Sequence, residues 1–190
     1  MIKAIVFDCF GVFYPDLVYE YVLNPSSPPE IASVLDQMDD SSSRGEITKA
    51  EFVKRTARLL RQSEEEVEKQ FFHSNNVNSK LVELVGVLNA DYKVALLSNI
   101  GADMMDGFFS SSDLSRIFDV AILSGNVNLA KPDPKIFRLV CEQLEVAPGE
   151  AIMVDDVVEY CKGAEAIGMK SIRYQEYTQF LHELRALLGT

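Results

Sequence analysis

Positive charge is what this sequence has least of. Its 190 residues carry 18 Lys and Arg against 29 Asp and Glu, a formal net charge of −11. A field of that sign opposes approach to nucleic acid and to an anionic membrane surface, so neither is expected as a partner. An anionic small ligand must then be drawn in by local groups or by a bound cation. Cysteine is sparse too. Cys9, Cys141 and Cys161 are odd in number and form no Cys-x-x-Cys spacing, so neither a disulfide framework nor a zinc site is suggested. No apolar stretch approaches membrane-spanning length, and Met1–Phe7 runs into a strand-like segment without a signal-peptide pattern. These features point to a reducing, cytoplasmic setting. Histidine is nearly absent: His73 sits near a helix end, and His182 lies beside Leu181 and Leu184 in an amphipathic C-terminal stretch. Both read as surface residues.

What is present suits a soluble globule with a real core. Hydrophobic residues make up 47% and charged ones 25%, at a length that allows one domain plus a small appendage. Short apolar runs at Lys3–Phe7, Tyr92–Ser98, Val120–Ser124, Ala151–Val154 and Ser171–Tyr174 read as strands buried on both faces. Helical patterns separate them. Leu81, Leu84, Val85 and Leu88 form one apolar stripe, and Ile136, Phe137, Val140, Cys141 and Leu144 form another. Asp133-Pro134 supplies the second with an N-cap and an N1 proline. Strand and helix in alternation imply an α/β fold with a doubly wound parallel sheet.

One stretch breaks the alternation. From Asp16 to Leu88 there are helical patterns and no strand. Thr48-x-x-Glu51 and Ser63-x-x-Glu66 are capping boxes, and they open helices with apolar positions Val53, Ala57, Leu60, Val67 and Phe71. The run Glu64-Glu65-Glu66 suits a helix start, where acidic side chains favour the dipole. Asn24–Pro29 and Asp39–Gly45 read as loops, rich in Pro, Ser and Asp. The organisation expected is therefore an α/β core of residues 1–15 and 89–190 with a helical insertion at 16–88.

Four features with chemical potential sit at strand ends: Asp8, Ser98-Asn99, Lys131 and Asp155-Asp156. Taken singly each has a plain reading as a cap, a turn or a loop residue. The adjacent Asp155 and Asp156 are harder to explain that way, because two carboxylates after a buried strand repel unless a cation or a helix N-terminus offsets them. The C-terminal edge of a parallel sheet is also where open α/β folds bind ligands.

Together, in this order, the four features resemble the haloacid dehalogenase superfamily, most of whose members are phosphatases. The likeness covers the whole chain, including a helical cap of the C1 type inserted after the first strand. Ser43-Arg44-Gly45-Glu46-Ile47 is similar to cap segments of that group. The resemblance implies a Rossmann-like core and a Mg²⁺-dependent hydrolase acting on a small phosphorylated substrate. Asp8 would be the nucleophile and form an aspartyl-phosphate. Mg²⁺ would be held by Asp8, the carbonyl of Phe10 and Asp156, with help from Asp155. Ser98 and the amide of Asn99 would donate to phosphoryl oxygens, and Lys131 would hold the charge of Asp8 and the transferring group. Gly11 would let the chain turn tightly after Phe10.

The chain also departs from the family pattern. Phe10 stands where the phosphatases have a second aspartate that acts as general acid and base. Help of that kind is typically worth ~10²–10⁴ in rate, roughly 3 to 5 kcal/mol of barrier. The loss matters less for a good leaving group, such as a hemiacetal or acyl oxygen. Asp16 is a candidate replacement and equally a plain turn residue. Tyr160 occupies a position where the family has Asp or Asn; the adjacent Glu159 reads as a substitute or as a solvated helix residue. Rival functions follow from these departures. One is a weakened member that binds Mg²⁺ and phosphate, or a protein partner, with little turnover. Another is a dehalogenase, whose family pattern has an aromatic residue at the position of Phe10. Against it, the position six residues after Lys131 is Phe137, not tyrosine, and both members of the acidic pair are retained.

Overall fold

A computed structural model describes residues 1–72, 76–101 and 103–189. Five parallel strands form one sheet: β1 (Ala4–Phe7), β2 (Lys93–Ser98), β3 (Val120–Leu123), β4 (Ala151–Asp155) and β5 (Lys170–Arg173), in the order β3-β2-β1-β4-β5. All the expected strands are there, with boundaries shifted by no more than a residue. β1 is central and buried along its whole length. Its alternating side chains feed two cores: Ile5 and Phe7 face one way, Ala4 and Val6 the other. The strand order reverses beside β1, and such a reversal opens a crevice at the C-terminal strand ends.

Ten α-helices occur among the described residues. Four lie between β1 and the approach to β2: α1 (Leu17–Leu23), α2 (Pro29–Ser43), α3 (Lys49–Leu60) and α4 (Glu64–Phe71). They pack on one another as a helical unit. Next come α5 (Ser79–Leu88), α6 (Ser111–Ile117), α7 (Ser124–Val127), α8 (Pro134–Gln143), α9 (Val158–Glu165) and α10 (Tyr177–Leu188). α5 and α10 cover the Ile5/Phe7 face through Leu81, Val85, Phe180 and Leu184. α8 and α9 cover the opposite face through Ile136, Phe137, Val140 and Ala164. The helix α5, grouped by sequence with the insertion, packs on β2 and α6. No helix among the described residues is long and apolar enough to cross a membrane.

The local signals act largely as expected. Ser63 and Glu66 close a full capping box on α4. Asp133 caps α8 with Pro134 in its first turn. Thr48 caps α3, but Glu51 turns outward to Arg55 at 2.6 Å, so the reciprocal half of that box is missing. His182 is exposed on α10, while His73 lies outside the described residues.

One reading is corrected. Residues 39–43 do not form a loop; α2 continues through them to Ser43. Asp and Ser are weak helix formers because their side chains compete for the backbone. Here tertiary contacts override that tendency. Ser42 donates to the Met104 sulfur at 2.9 Å, and Ser43 Oγ donates to the Asn99 carbonyl at 3.1 Å. The Ser124 hydroxyl donates to the Ser43 carbonyl. Just beyond, Gly45 has φ +72°, and a Cβ there would stand 3.1 Å from the Gly125 carbonyl oxygen. The segment Ser43–Gly45 thus fastens the end of α2 to the loop that follows β2 and to α7.

Candidate active site

Asp8 leaves β1 at the strand-order reversal, its amide donating to the Val154 carbonyl of β4 at 2.9 Å. The chain then turns back on itself. The amides of Phe13 and Tyr14 reach the Cys9 carbonyl at 2.8 and 3.1 Å, and the Gly11 amide reaches the Tyr14 carbonyl at 2.6 Å. Gly11 has φ +76°, and a Cβ on it would lie 2.3 Å from the Asp156 carboxylate. Its role goes beyond turning the chain: it vacates the space into which Asp156 fits.

Lys131 sits at the centre of the buried charges. Its ammonium is 2.8 Å from Asp8 Oδ1 and 2.7 Å from Asp155 Oδ2. Asp8 Oδ1 also accepts the Cys9 amide at 2.7 Å, and Asp155 Oδ1 accepts the Val157 amide at 2.9 Å. Burial alone would depress the Lys131 pKa, but Asp155 and Asp8 outweigh it and hold the ammonium charged. Burial pushes the Asp8 carboxyl up; Lys131 opposes that shift and Asp155 adds to it. Burial, then Asp155, also raises Asp156 to about 6. Carboxylate oxygens of Asp8, Asp155 and Asp156 lie within 4.8 Å of one another. One ammonium does not balance that set, and a hard cation favouring oxygen donors fits it.

Asn99 positions the lysine from behind. Its Nδ2 donates to the Lys131 carbonyl at 2.9 Å, and its Oδ1 accepts the Lys131 amide at 2.8 Å. The same Nδ2 lies 3.3 Å from the Tyr160 hydroxyl. The Tyr160 ring covers the lysine, 4.8 Å from Nζ. Tyr160 therefore supports the charge centre by a cation–π contact. Glu159 is exposed and does not border the cavity, in keeping with a solvated helix residue.

A cavity of about 320 Å³ opens above these groups. Asp8, Phe10, Asn99, Lys131, Asp156 and Tyr160 form its floor. Its roof comes from α1 and α2, with Tyr19, Asp36, Gln37, Asp39, Asp40 and Ser43. Asp16 lines it too, with Oδ1 accepting the Tyr19 amide at 2.9 Å as the N-cap of α1. Phe10 packs edge-on to Phe108, ring centroids 4.7 Å apart. Ser98 lies at the end of β2, fully buried, and its hydroxyl has no hydrogen-bond partner among the described residues. An unpaired buried hydroxyl costs about 1–3 kcal/mol, which a ligand oxygen would recover. A larger, more open hollow of about 560 Å³ lies between α2 and α3, lined by residues such as Val34, Ile47 and Leu59; it shares only Gln37 with the site cavity and contains none of the floor residues.

Of the residues singled out by sequence, Asp8, Phe10, Asp16, Asn99, Lys131, Asp156 and Tyr160 line this cavity, whereas Ser98, Gly11 and Asp155 are not in its lining, and the roof aspartates of α2 were not singled out. Asp36, Asp39 and Asp40 carried no motif, and the loop reading of 39–45 hid the helix that presents them.

The sequence profile of the haloacid dehalogenase-like hydrolases matches residues 9–174. The chain belongs to that family. Among relatives, (S)-2-haloacid dehalogenase 4A of Burkholderia cepacia is 28% identical over 107 residues, 52% of this chain and 46% of that protein. Phosphoserine phosphatase of Thermus thermophilus is 34% identical over 80 residues, 42% of this chain and 32% of its own. The matches span less than half the length of these relatives. A family enzyme from Bacteroides thetaiotaomicron superposes with a TM-score of 0.77 at 22% identity, covering 97% of this chain and 98% of its own. That enzyme has also been solved with magnesium and inorganic phosphate. Family and fold agree with the reading from the four strand-end motifs.

Proposed function

We propose that this family member is a Mg²⁺-dependent phosphatase acting on a small phosphorylated metabolite. The observation that carries the reading is the excess of carboxylates around one ammonium: Asp8, Asp155 and Asp156 cluster within 4.8 Å, and Lys131 is already shared by two of them. Asp8, the Phe10 carbonyl and Asp156 are the residues that would hold the cation. Bound there, Mg²⁺ would supply neutralisation of carboxylate–phosphate repulsion and orientation for in-line attack.

Asp8 attacks phosphorus, and the bond to the leaving oxygen breaks as an aspartyl-phosphate forms. Lys131 opposes the protonation of Asp8 that burial favours and offsets charge on the transferring group. Asp155 and Asn99 fix the lysine from its side chain and its backbone. The Ser98 hydroxyl and the Asn99 amide are the donors for phosphoryl oxygens. The roof helices exclude water and read the rest of the substrate.

Two observations favour a second reading, dehalogenation: Phe10 at its position, and the named activity of the Burkholderia cepacia relative. The charge of the cavity opposes it. A 2-haloacid brings a carboxylate into a space lined by Asp16, Asp36, Asp39, Asp40 and Asp156, where Lys131 is the basic residue among the described lining and is already paired. A third reading, a weakened Mg²⁺- and phosphate-binding module, draws on Phe10 and Tyr160.

The experiment is a panel of phosphate monoesters with Mg²⁺, including sugar 1-phosphates and an activated aryl phosphate, beside 2-chloropropionate. Wild type and Asp8→Asn are compared. Ester turnover abolished in Asp8→Asn supports the phosphatase. Halide release without ester turnover would replace it with the dehalogenase, and Mg²⁺ binding with no turnover of even the aryl ester would leave the binding module.

A further inference from the structure

A phosphatase of this design lacks a proton source next to its nucleophile, because Phe10 cannot donate or accept. We propose that Asp39, on α2, hands a proton to the leaving oxygen and takes one back from the water that releases phosphate. The inference rests on the phosphatase reading above.

Position comes first. Asp39 lines the cavity that contains Asp8, Lys131 and Asp156. It also lines the adjoining hollow formed by Phe10, Asp16, Asn99 and Phe108. It therefore stands over the part of the cavity that Phe10 occupies. Its helix is held there by the Ser42 and Ser43 contacts to Met104 and Asn99.

Availability comes second. Among the described residues no hydrogen bond or ion pair engages the Asp39 carboxyl, whereas Asp40 is paired with Arg44. Asp16, the other carboxylate beside Phe10, is committed as the cap of α1. Asp39, which sequence spacing did not single out, is the carboxyl proposed instead of Asp16.

The surroundings suit the role. Asp16 and Tyr19 face Asp39 from the start of α1, Asp36 and Asp40 flank it on its own helix, and Lys131, Asp156 and Tyr160 lie across the cavity. Burial first, and then Asp16, Asp36 and Asp40, raise the Asp39 carboxyl to about 7. A group poised there exchanges protons efficiently near neutral pH.

The chemistry balances. As Asp8 Oδ bonds to phosphorus, the P–O electron pair goes to the leaving oxygen, which takes the Asp39 proton and departs as an alcohol. The Asp39 carboxylate then removes a proton from water, whose oxygen attacks the aspartyl-phosphate. Inorganic phosphate leaves, Asp8 is regenerated and Asp39 is protonated again.

The test compares Asp39→Asn, Asp39→Glu and the double variant Asp39→Asn/Phe10→Asp on an alkyl phosphate and on the activated aryl phosphate. Asp39→Asn should lower kcat/KM for the alkyl ester by roughly 10²–10³ and for the aryl ester far less. The fall in wild-type kcat/KM above about pH 7 should disappear with it. Asp39→Glu should recover part of the alkyl rate, and the double variant should recover it by placing a carboxyl next to the nucleophile. With the aryl ester, Asp39→Asn should also accumulate phosphoenzyme, read as an added phosphoryl mass on quenched protein. Equal losses on both esters, or no loss on either, would overturn the assignment. Failure of wild type on the aryl ester would instead remove the phosphatase reading.

Discussion

The floor and the roof of one cavity are both rich in carboxylates, and they are built on opposite principles. On the floor, Asp8 and Asp155 are buried and tied to Lys131, with the Cys9 and Val157 amides taking further lone pairs. On the roof, Asp36 and Asp39 stand without a basic partner among the described residues, and Asp40 is paired with Arg44. A charge partner and hydrogen bonds oppose the push of burial toward the neutral form. Carboxyls crowded with others of their kind are driven toward the neutral form. Neutralising the two levels should therefore have effects of opposite sign. The floor's lysine is needed to keep the fold, whereas the roof's aspartate costs the fold some stability.

The strongest way to break this contrast is on the floor. Lys131→Met removes the ammonium and leaves Asp8 and Asp155 facing each other in a dry site. Orphaning a buried ion pair in this way costs about 3–5 kcal/mol, read as a lower midpoint in denaturant unfolding. A loss below about 1 kcal/mol would mean that the carboxylates relax to neutral forms cheaply and that the floor is no more committed to its charges than the roof.

Gly11→Ala tests how the floor meets the cation. The new Cβ would fall 2.3 Å from the Asp156 carboxylate, on a backbone with φ +76°. Asp156 must swing away, so Mg²⁺ affinity should fall by about tenfold or more, and stability by about 1–3 kcal/mol from strain. Calorimetric titration with Mg²⁺ reads the first effect directly. Unchanged affinity would show that Asp156 does not hold the metal.

The floor was legible in the sequence because it hangs on strand ends. A short apolar run that stops at an aspartate has one place to go in a parallel sheet; Asp8 and Asp155-Asp156 have that form, Ser98 ends β2, and Lys131 follows β3 beyond α7. The roof was not legible because its residues argue against their own structure. Asp39-Asp40-Ser41-Ser42-Ser43 has the composition of a loop, and it is helical because the two final serines bond to Met104 and Asn99, far along the chain. Such contacts leave no local trace. Tyr160 was noticed as a departure from the family pattern, but its place over Lys131 depends on α9 lying beside the loop that carries the lysine. Phe10 was read as a loss at the site; in the fold it is also an anchor, packed on Phe108. Asp16 was open to two readings, and in the fold its Oδ1 caps α1 by accepting the Tyr19 amide.

The smallest effect is expected on the roof, and its sign is the sharper test. Asp39 has a folded-state pKa of about 7 against an ordinary 3.8. Below about pH 3 the carboxyl is protonated in both the folded and the unfolded chain, so it costs folding nothing. As the pH rises from there toward 7 the unfolded chain gives up its proton first, and the folded protein loses stability relative to it. Above 7 both forms are ionised and the loss is complete. Asp39→Asn removes that titration while keeping the size and shape of the side chain. Without metal, the variant should therefore match wild type at about pH 3 and exceed it at pH 8 by on the order of 1–2 kcal/mol, the shift being discounted for partial exposure to solvent. Denaturant unfolding of both proteins across that range gives the comparison. A variant less stable than wild type at pH 8 would mean that the ionised Asp39 has a favourable partner, and the roof would then follow the same rule as the floor.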